Sequence, residues 1–210
     1  MQKKQVILAK TFVHALALLP ALWLGWQGWL MLDFQNHALT ANPIQYINQY
    51  TGDWTIRLIL LGLALSPLRK ITGLNDLIRF RRMIGLYAFF YAVLHLANFM
   101  VLDHYFDWNT IVGDILKRKA ITFGMIAFTL LIPLALTSTK VMMRRMGKGW
   151  LKLHRLVYVL AIFAVIHHFL MVKADLLQPS IHAAILIFLL GYRIYGRISE
   201  KFKVSKKVAA

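Results

Sequence analysis

An all-α, polytopic membrane protein is predicted by three observations. Of the 210 residues 59% are hydrophobic, above the ~45–50% usual for a soluble domain. Apolar runs near the roughly 20 residues a bilayer crossing needs recur along the whole chain. The cations sit in short clusters between those runs, which is how a membrane protein marks its cytoplasmic loops. We read one domain over 1–210 with six transmembrane helices and both termini cytoplasmic.

The formal charge of +17 raises nucleic acid as a partner, but cations confined to inter-span loops point to the membrane surface instead. Cysteine is absent, which excludes disulfides, Cys-ligated iron–sulfur clusters and covalent c-type haem. Neither G-x-G-x-x-G nor G-x-x-x-x-G-K-[ST] occurs, so no nicotinamide or ATP motif is carried.

Span one runs from about Thr11 to Leu32, behind Lys3, Lys4 and Lys10. Ala15-Leu16-Ala17 has a cleavage-site form but lies too early in too long a run, so an uncleaved helix is expected. Asp33 to Asp53 is a polar link with an Asn42-Pro43 turn signal. Span two covers about 54–68, and Arg69, Lys70, Arg79, Arg81 and Arg82 mark the loop behind it. Span three covers about 83–102, followed by a loop with Asp103, Asp107 and Asp114. Span four is about 120–139 with a Pro133 kink, and the basic loop 140–152 leads into span five, about 151–172. Pro179 opens span six, about 180–195, and a short basic tail ends the chain. No internal repeat is evident. Twenty of the 25 Lys and Arg fall on the side of the termini, which the positive-inside rule assigns to the cytoplasm.

Imidazoles inside a span are costly and mark functional sites. His95 lies twelve residues beyond Met83, about 18 Å up span three; His167 lies thirteen beyond His154, about 20 Å higher on span five. Both spans run outward, so His95 and His167 reach similar depth, as two axial ligands of one haem must. Gly85, Ala88 and Ala92 form a small-residue stripe leading to His95, suited equally to a macrocycle or to a neighbouring helix. His154 and His14 are shallower and are candidates for a second, inner haem, and Arg82 for a propionate contact. On an unbroken helix His168, not His167, shares a face with His154, so His168 rivals His167. His37, His104 and His182 read as surface residues, and Arg57 as the partner of Asp53.

Three segments carry a resemblance: TGDWTIRLILLGLALSPLRK, RFRRMIGLYAFFYAVLHL and TSTKVMMRRMGKGWLKLHRLVYVLAIFAVIHHFLMVK. With R-R-x-x-G before His95 and G-K-x-W-x-x-L-H before His154, the chain resembles the MsrQ (YedZ) family, haem-binding membrane subunits of bacterial periplasmic methionine-sulfoxide reductase systems. It is similar, more distantly, to the ferric-reductase-like transmembrane domain of NADPH oxidases. The resemblance implies His95, His154 and His167 as haem ligands, favours His167 over His168, and supports His14. It implies haem b, one or two, and FMN, although no FMN motif is present; Arg81, Arg82, Lys148 and Trp150 offer a basic surface for a flavin phosphate. It implies an inner-membrane subunit that takes electrons from the quinone pool or a cytosolic flavin reductase. Those electrons would pass to a periplasmic molybdenum-cofactor enzyme of the MsrP type, the sulfoxide-reducing partner. The rival readings are a stand-alone ferric or quinone reductase, a proton-relaying transporter and a non-redox scaffold.

Overall fold

The computed structural model describes residues 3–172 and 175–208; of the five cations that the charge count leaves on the side away from the termini (Arg57, Lys117, Arg118, Lys119 and Lys173), Lys173 lies outside them. Every described element is helical. α1 spans Lys3–Leu32, α2 Pro43–Thr72, α3 Arg81–Ala97, α4 Trp108–Lys117, α5 Lys119–Leu136, α6 Lys140–Met146, α7 Lys148–Leu153, α8 Leu156–Met171 and α9 Leu177–Val208. A 3-10 turn, Asn75–Phe80, leads into α3, and a π turn, Asn98–Asp103, follows it.

Five stretches are long and apolar enough to cross a membrane: Lys4–Leu32, Asn75–Asp103, Lys119–Leu136, Lys148–Met171 and Leu177–Gly196. The chain is therefore a multi-pass membrane protein. The expected span at 54–68 lies inside α2 and is not among the five. Asp53, Arg57, Arg69 and Lys70 dilute its hydropathy. The position of α2 explains why such polarity is tolerated. It is the central helix, packing on α3, α8 and α9 and burying Ile56, Leu58, Ile59, Leu60, Leu63 and Leu65, so most of its apolar side chains face neighbouring helices, while Leu61, Leu68 and Ile71 stay exposed. α1 is the opposite case, with Leu22, Trp26 and Trp29 on an exposed apolar face.

The local chemistry explains the boundaries of α2. The Asn42 side chain accepts the Gln45 N–H at 3.1 Å, Pro43 occupies the first turn, and Gly73 at φ 71° closes the helix in the left-handed region. These are the expected start and stop devices. α4 was not foreseen within the third loop: Asp107 caps it, accepting the Asn109 and Thr110 N–H groups.

Two prolines inside helices are compensated by side chains from neighbours. Pro67 has no N–H to offer the Leu63 carbonyl, and the Arg193 guanidinium of α9 donates to that carbonyl instead while also bonding Leu189 O at 3.0 Å. Next to Pro20, the Tyr91 hydroxyl donates to Ala17 O at 2.7 Å and accepts the Ala21 N–H at 3.1 Å. That carbonyl and that N–H are the pair a straight helix would join directly.

Two helix pairs share a short local match. The pair α2–α3 and the pair α5–α8 are built alike, with Tyr91-Ala92-Val93-Leu94-His95 in one matched by Phe163-Ala164-Val165-Ile166-His167 in the other. In each, the histidine ring bonds a carbonyl 47 residues earlier.

Candidate functional site

His95 on α3 and His167 on α8 face one another with ring centroids 6.0 Å apart and planes at 79°. His95 Nδ1 donates to Asn48 O on α2 at 2.9 Å, and His167 Nδ1 donates to Ala120 O on α5 at 2.7 Å. A carbonyl can only accept, so each ring carries its proton on Nδ1 and presents Nε2 as the lone-pair nitrogen. Both rings border a cavity of about 710 Å³ whose wall includes Gly52, Ala92, Gly124 and Phe128. The small-residue stripe divides: Ala92 borders this cavity, Gly85 and Ala88 the inner one.

These residues fit a haem iron. Metal–imidazole bonds of roughly 2 Å on either side of one atom, plus the ring radii, place two centroids roughly 6 Å apart. Among the described residues no three His, Cys, Asp or Glu side chains converge as a bare-metal site would require. Two imidazoles on the wall of one ligand-sized cavity, which Asp53, Asp103 and Arg118 also border, are a donor set that would suit haem, whose iron would supply one-electron redox chemistry there.

His168 borders the same cavity but makes different contacts. Its Nδ1 lies 3.9 Å from Asp53 Oδ1, and its ring stands edge-on to His182 at 5.2 Å. The helical-wheel argument that made it rival His167 assumed one continuous helix. The structure breaks that helix between Leu153 and Leu156, where Arg155 N bonds Lys152 O and Tyr158 N bonds Arg155 O in tight three-residue turns. Rotational phase is therefore not carried from His154 to α8. Asp53 also meets Arg57 at 3.7 Å, the pairing expected from their spacing.

Two histidines read as surface residues are not. His182 is buried, 7% exposed, on the face of α9 that packs against α2 and α8. His104 has an 8% exposed side chain because the π turn folds it inward, Nδ1 bonding Phe99 O at 3.0 Å and Nε2 meeting Asp114 at 3.2 Å. Their neighbours come from other elements, so no pattern in their own segments gave notice of burial.

The inner site is built differently. His154 sits at the break between α7 and α8, stacked on Trp150 at 3.9 Å. The Thr137 hydroxyl spends its proton on Pro133 O at 2.6 Å, so at 3.2 Å it accepts from His154 Nε2. His154 thus carries its proton on the nitrogen opposite to that in the outer pair. Trp150 Nε1 donates to Thr137 O at 3.0 Å and completes the clasp. A cavity of about 690 Å³ opens here, bordered by His154, Trp150, Arg79, Arg81, Arg82 and Arg155. Arg82 also donates to Met143 Sδ at 3.4 Å. His14 lies apart: its Nδ1 pairs with the Tyr87 hydroxyl at 2.7 Å, and it is not on this cavity's wall.

Outside the spans, two carboxyls are held below the ordinary aspartate value of 3.8. For Asp107 the first cause is the hydrogen bond from the Thr110 hydroxyl, at 2.6 Å. For Asp114, burial alone would raise it, but hydrogen bonds from Arg118 at 2.8 Å and from His104 outweigh that.

A multi-pass helical bundle with two imidazoles on one cavity wall is the arrangement that a haem-type membrane redox domain would need. The comparisons agree on the class: residues 51–165 match the family described as ferric reductase like transmembrane component. A relative from Xanthomonas axonopodis pv. citri, described as the protein-methionine-sulfoxide reductase heme-binding subunit MsrQ, is 46% identical over 96% of this chain and 93% of its own. A protein of the same description from Rhodospirillum rubrum is 46% identical over 92% of this chain and 91% of its own. The chain belongs to the MsrQ family.

Proposed function

We propose that this chain is a haem b electron-transfer subunit of the bacterial inner membrane, carrying electrons outward to a periplasmic molybdenum-dependent methionine-sulfoxide reductase. The observation that carries the reading is the His95–His167 pair, 6.0 Å between centroids, with each Nδ1 tied to a helix carbonyl. The names of the relatives supply the system: each is the heme-binding subunit of a methionine-sulfoxide reductase. The electron donor is the quinone pool or a cytosolic flavin reductase, and the sulfoxide-reducing chemistry belongs to the MsrP-type partner.

Bound between His95 and His167, haem supplies one-electron redox chemistry at the outer depth. The chain's own residues do the rest. Asn48 O and Ala120 O hold the two rings in one tautomer and raise their basicity as ligands. Ala92, Phe128 and Leu131 supply an apolar part of the wall against which a macrocycle would pack, and Asp53, Asp103 and Arg118 supply charged groups on the same wall. Six crossings, with α2 as the central one, put both termini and the Arg79–Arg82 cluster in the cytoplasm.

The inner cavity is the second cofactor position. His154 is its imidazole, and Arg79, Arg81 and Arg82 are the cations for propionates of an inner haem. The same cations suit the phosphate of FMN, the other occupant the family suggests; flavin fluorescence released on denaturation distinguishes the two. His14, held by Tyr87, is the more distant candidate for a ligand here.

The test is the absorption spectrum of purified protein. A reducible b-type Soret and α band is expected, lost from the outer site in His95→Ala and His167→Ala and kept in His168→Ala. A wild-type protein without those bands, isolated from haem-replete cells, overturns the proposal and leaves a transporter or scaffold.

A further inference from the structure

A helix carbonyl is already engaged by the N–H four residues on, so a side chain from another helix reaches it only by lying flat against the helix surface. A Cβ at that fourth residue blocks the approach. Asn48 O, which accepts from His95, is followed four residues on by Gly52; Ala120 O, which accepts from His167, is followed four residues on by Gly124. A Cβ at Gly52 would stand 3.1 Å from His95 Cε1 and 3.2 Å from Nδ1. At Gly124 it would stand 2.8 Å from both His167 Cε1 and Nδ1.

This crowding is confined to those two positions. A Cβ at Gly62 would meet Ile84 at an ordinary 3.8 Å, and at Gly85, Gly113 or Gly191 it would meet nothing within 4 Å. Each glycine also precedes its histidine by the same interval in the two matched helix pairs, so the match reproduces carbonyl, glycine and imidazole together. Glycine is the poorest ordinary residue for a helix interior, and neither position has a left-handed φ to require it. The ring contact is what requires it.

We propose that Gly52 and Gly124 are the positioning residues that select Nε2 of His95 and His167 as the iron-binding nitrogens. They do so by letting each Nδ1–H reach its carbonyl. The inference rests on the haem reading above and deepens it. With alanine at 124 the His167 ring must leave Ala120 O, and the tautomer is no longer held. With alanine at 52 the His95 ring shifts by a few tenths of an ångström and its hydrogen bond lengthens.

The experiment uses the full-length protein in detergent, with Gly124→Ala, Gly52→Ala and the controls Gly62→Ala and Gly191→Ala. Helicity and monodispersity monitor the fold; haem-to-protein ratio, low-spin absorption and paramagnetic resonance signals and the midpoint potential monitor the site. Histidine ¹⁵N shifts of haem-depleted protein report the tautomer without any bound group. The controls are expected to match wild type. Gly124→Ala is expected to lower haem affinity roughly 10–100-fold, the range for lost outer-shell partners of metal ligands, and to mix the His167 tautomers. Gly52→Ala is expected to keep its haem with a displaced potential. A folded Gly124→Ala with wild-type haem content, potential and ¹⁵N shifts overturns the proposal. If Gly124→Ala does not fold, Gly52→Ala decides, and an unchanged potential and spectrum there overturn it. A wild type that binds no haem, yet shows the two Nδ1–H tautomers lost in the glycine variants, would sink the haem reading and not the positioning role.

Discussion

Tyr91 shows how much one side chain decides here. It is fully buried, and its hydroxyl supplies both a donor and an acceptor to the backbone of α1 beside Pro20. Tyr91→Phe keeps the ring but strands the Ala21 N–H and the Ala17 carbonyl. A cost of about 1–3 kcal/mol is expected, read as a lower thermal midpoint in detergent, with haem content unchanged because α1 carries neither outer ligand. The outer carboxyls act at the same scale. Asp107 and Asp114 titrate lower in the folded protein than their ordinary 3.8. The stability they contribute is therefore present above that value and lost as the pH on their side of the membrane falls through the depressed ones. A nitroxide at Val112→Cys, unique in a chain without cysteine, should become mobile on α4 only in that acid window. Mobility that rises instead between neutral and mildly acidic pH would show that other groups hold the helix.

At the scale of elements, α2 and α9 are joined by a compensation neither makes alone. Pro67 orphans the Leu63 carbonyl, and Arg193 satisfies it from another helix. Arg193→Met should destabilise the bundle by about 1–3 kcal/mol, the cost of a buried acceptor left unmade. Pro67→Ala restores an N–H four residues beyond Leu63, so in that background the same Arg193→Met should cost clearly less. The double-mutant cycle measures the difference, and equal costs in the two backgrounds would refute the pairing. The break between α7 and α8 is the other element-scale device. It lets His154 sit at the inner cavity out of helical phase with α8, so the position of His154 does not fix which face of α8 meets the outer cavity.

For the whole molecule, six crossings make a checkable claim, because α2 by its own hydropathy does not declare itself a span. Single cysteines at Asn36 and Asn109 should react with a membrane-impermeant thiol reagent from the outer side. Cysteines at Leu74 and Lys148 should react only after permeabilisation. Leu74 labelled from outside would mean that α2 does not cross. The bundle is also two similar helix pairs set around one cavity, so each ligand is held by its own pair, and the pairs must dock before the imidazoles meet. Loss of α9, which packs on α2 and α8, should accordingly weaken the site although α9 touches neither ligand.

Much of this was legible in the residues. Apolar length predicts six spans, and five of them are long and apolar enough in the structure to cross a membrane, since hydropathy is a local property. Counting rise per residue was enough to bring His95 and His167 to one depth. The matched Tyr/Phe-Ala-Val-Leu/Ile-His segments are only five residues long, too short to declare a relation between the helix pairs without the shared carbonyl spacing. Three things only the tertiary structure decided. The carbonyl that holds each ring is 47 residues away along the chain, so no local pattern announces the pairing or the glycine that permits it. The polarity of α2 is tolerated because other helices surround it, and His182 is buried because of what packs on α9. Sequence alone determined the five segments apolar enough to cross a membrane and which side chains are costly there. Which of those side chains face one another depends on helix breaks and interhelix contacts, and those are settled only when the helices pack.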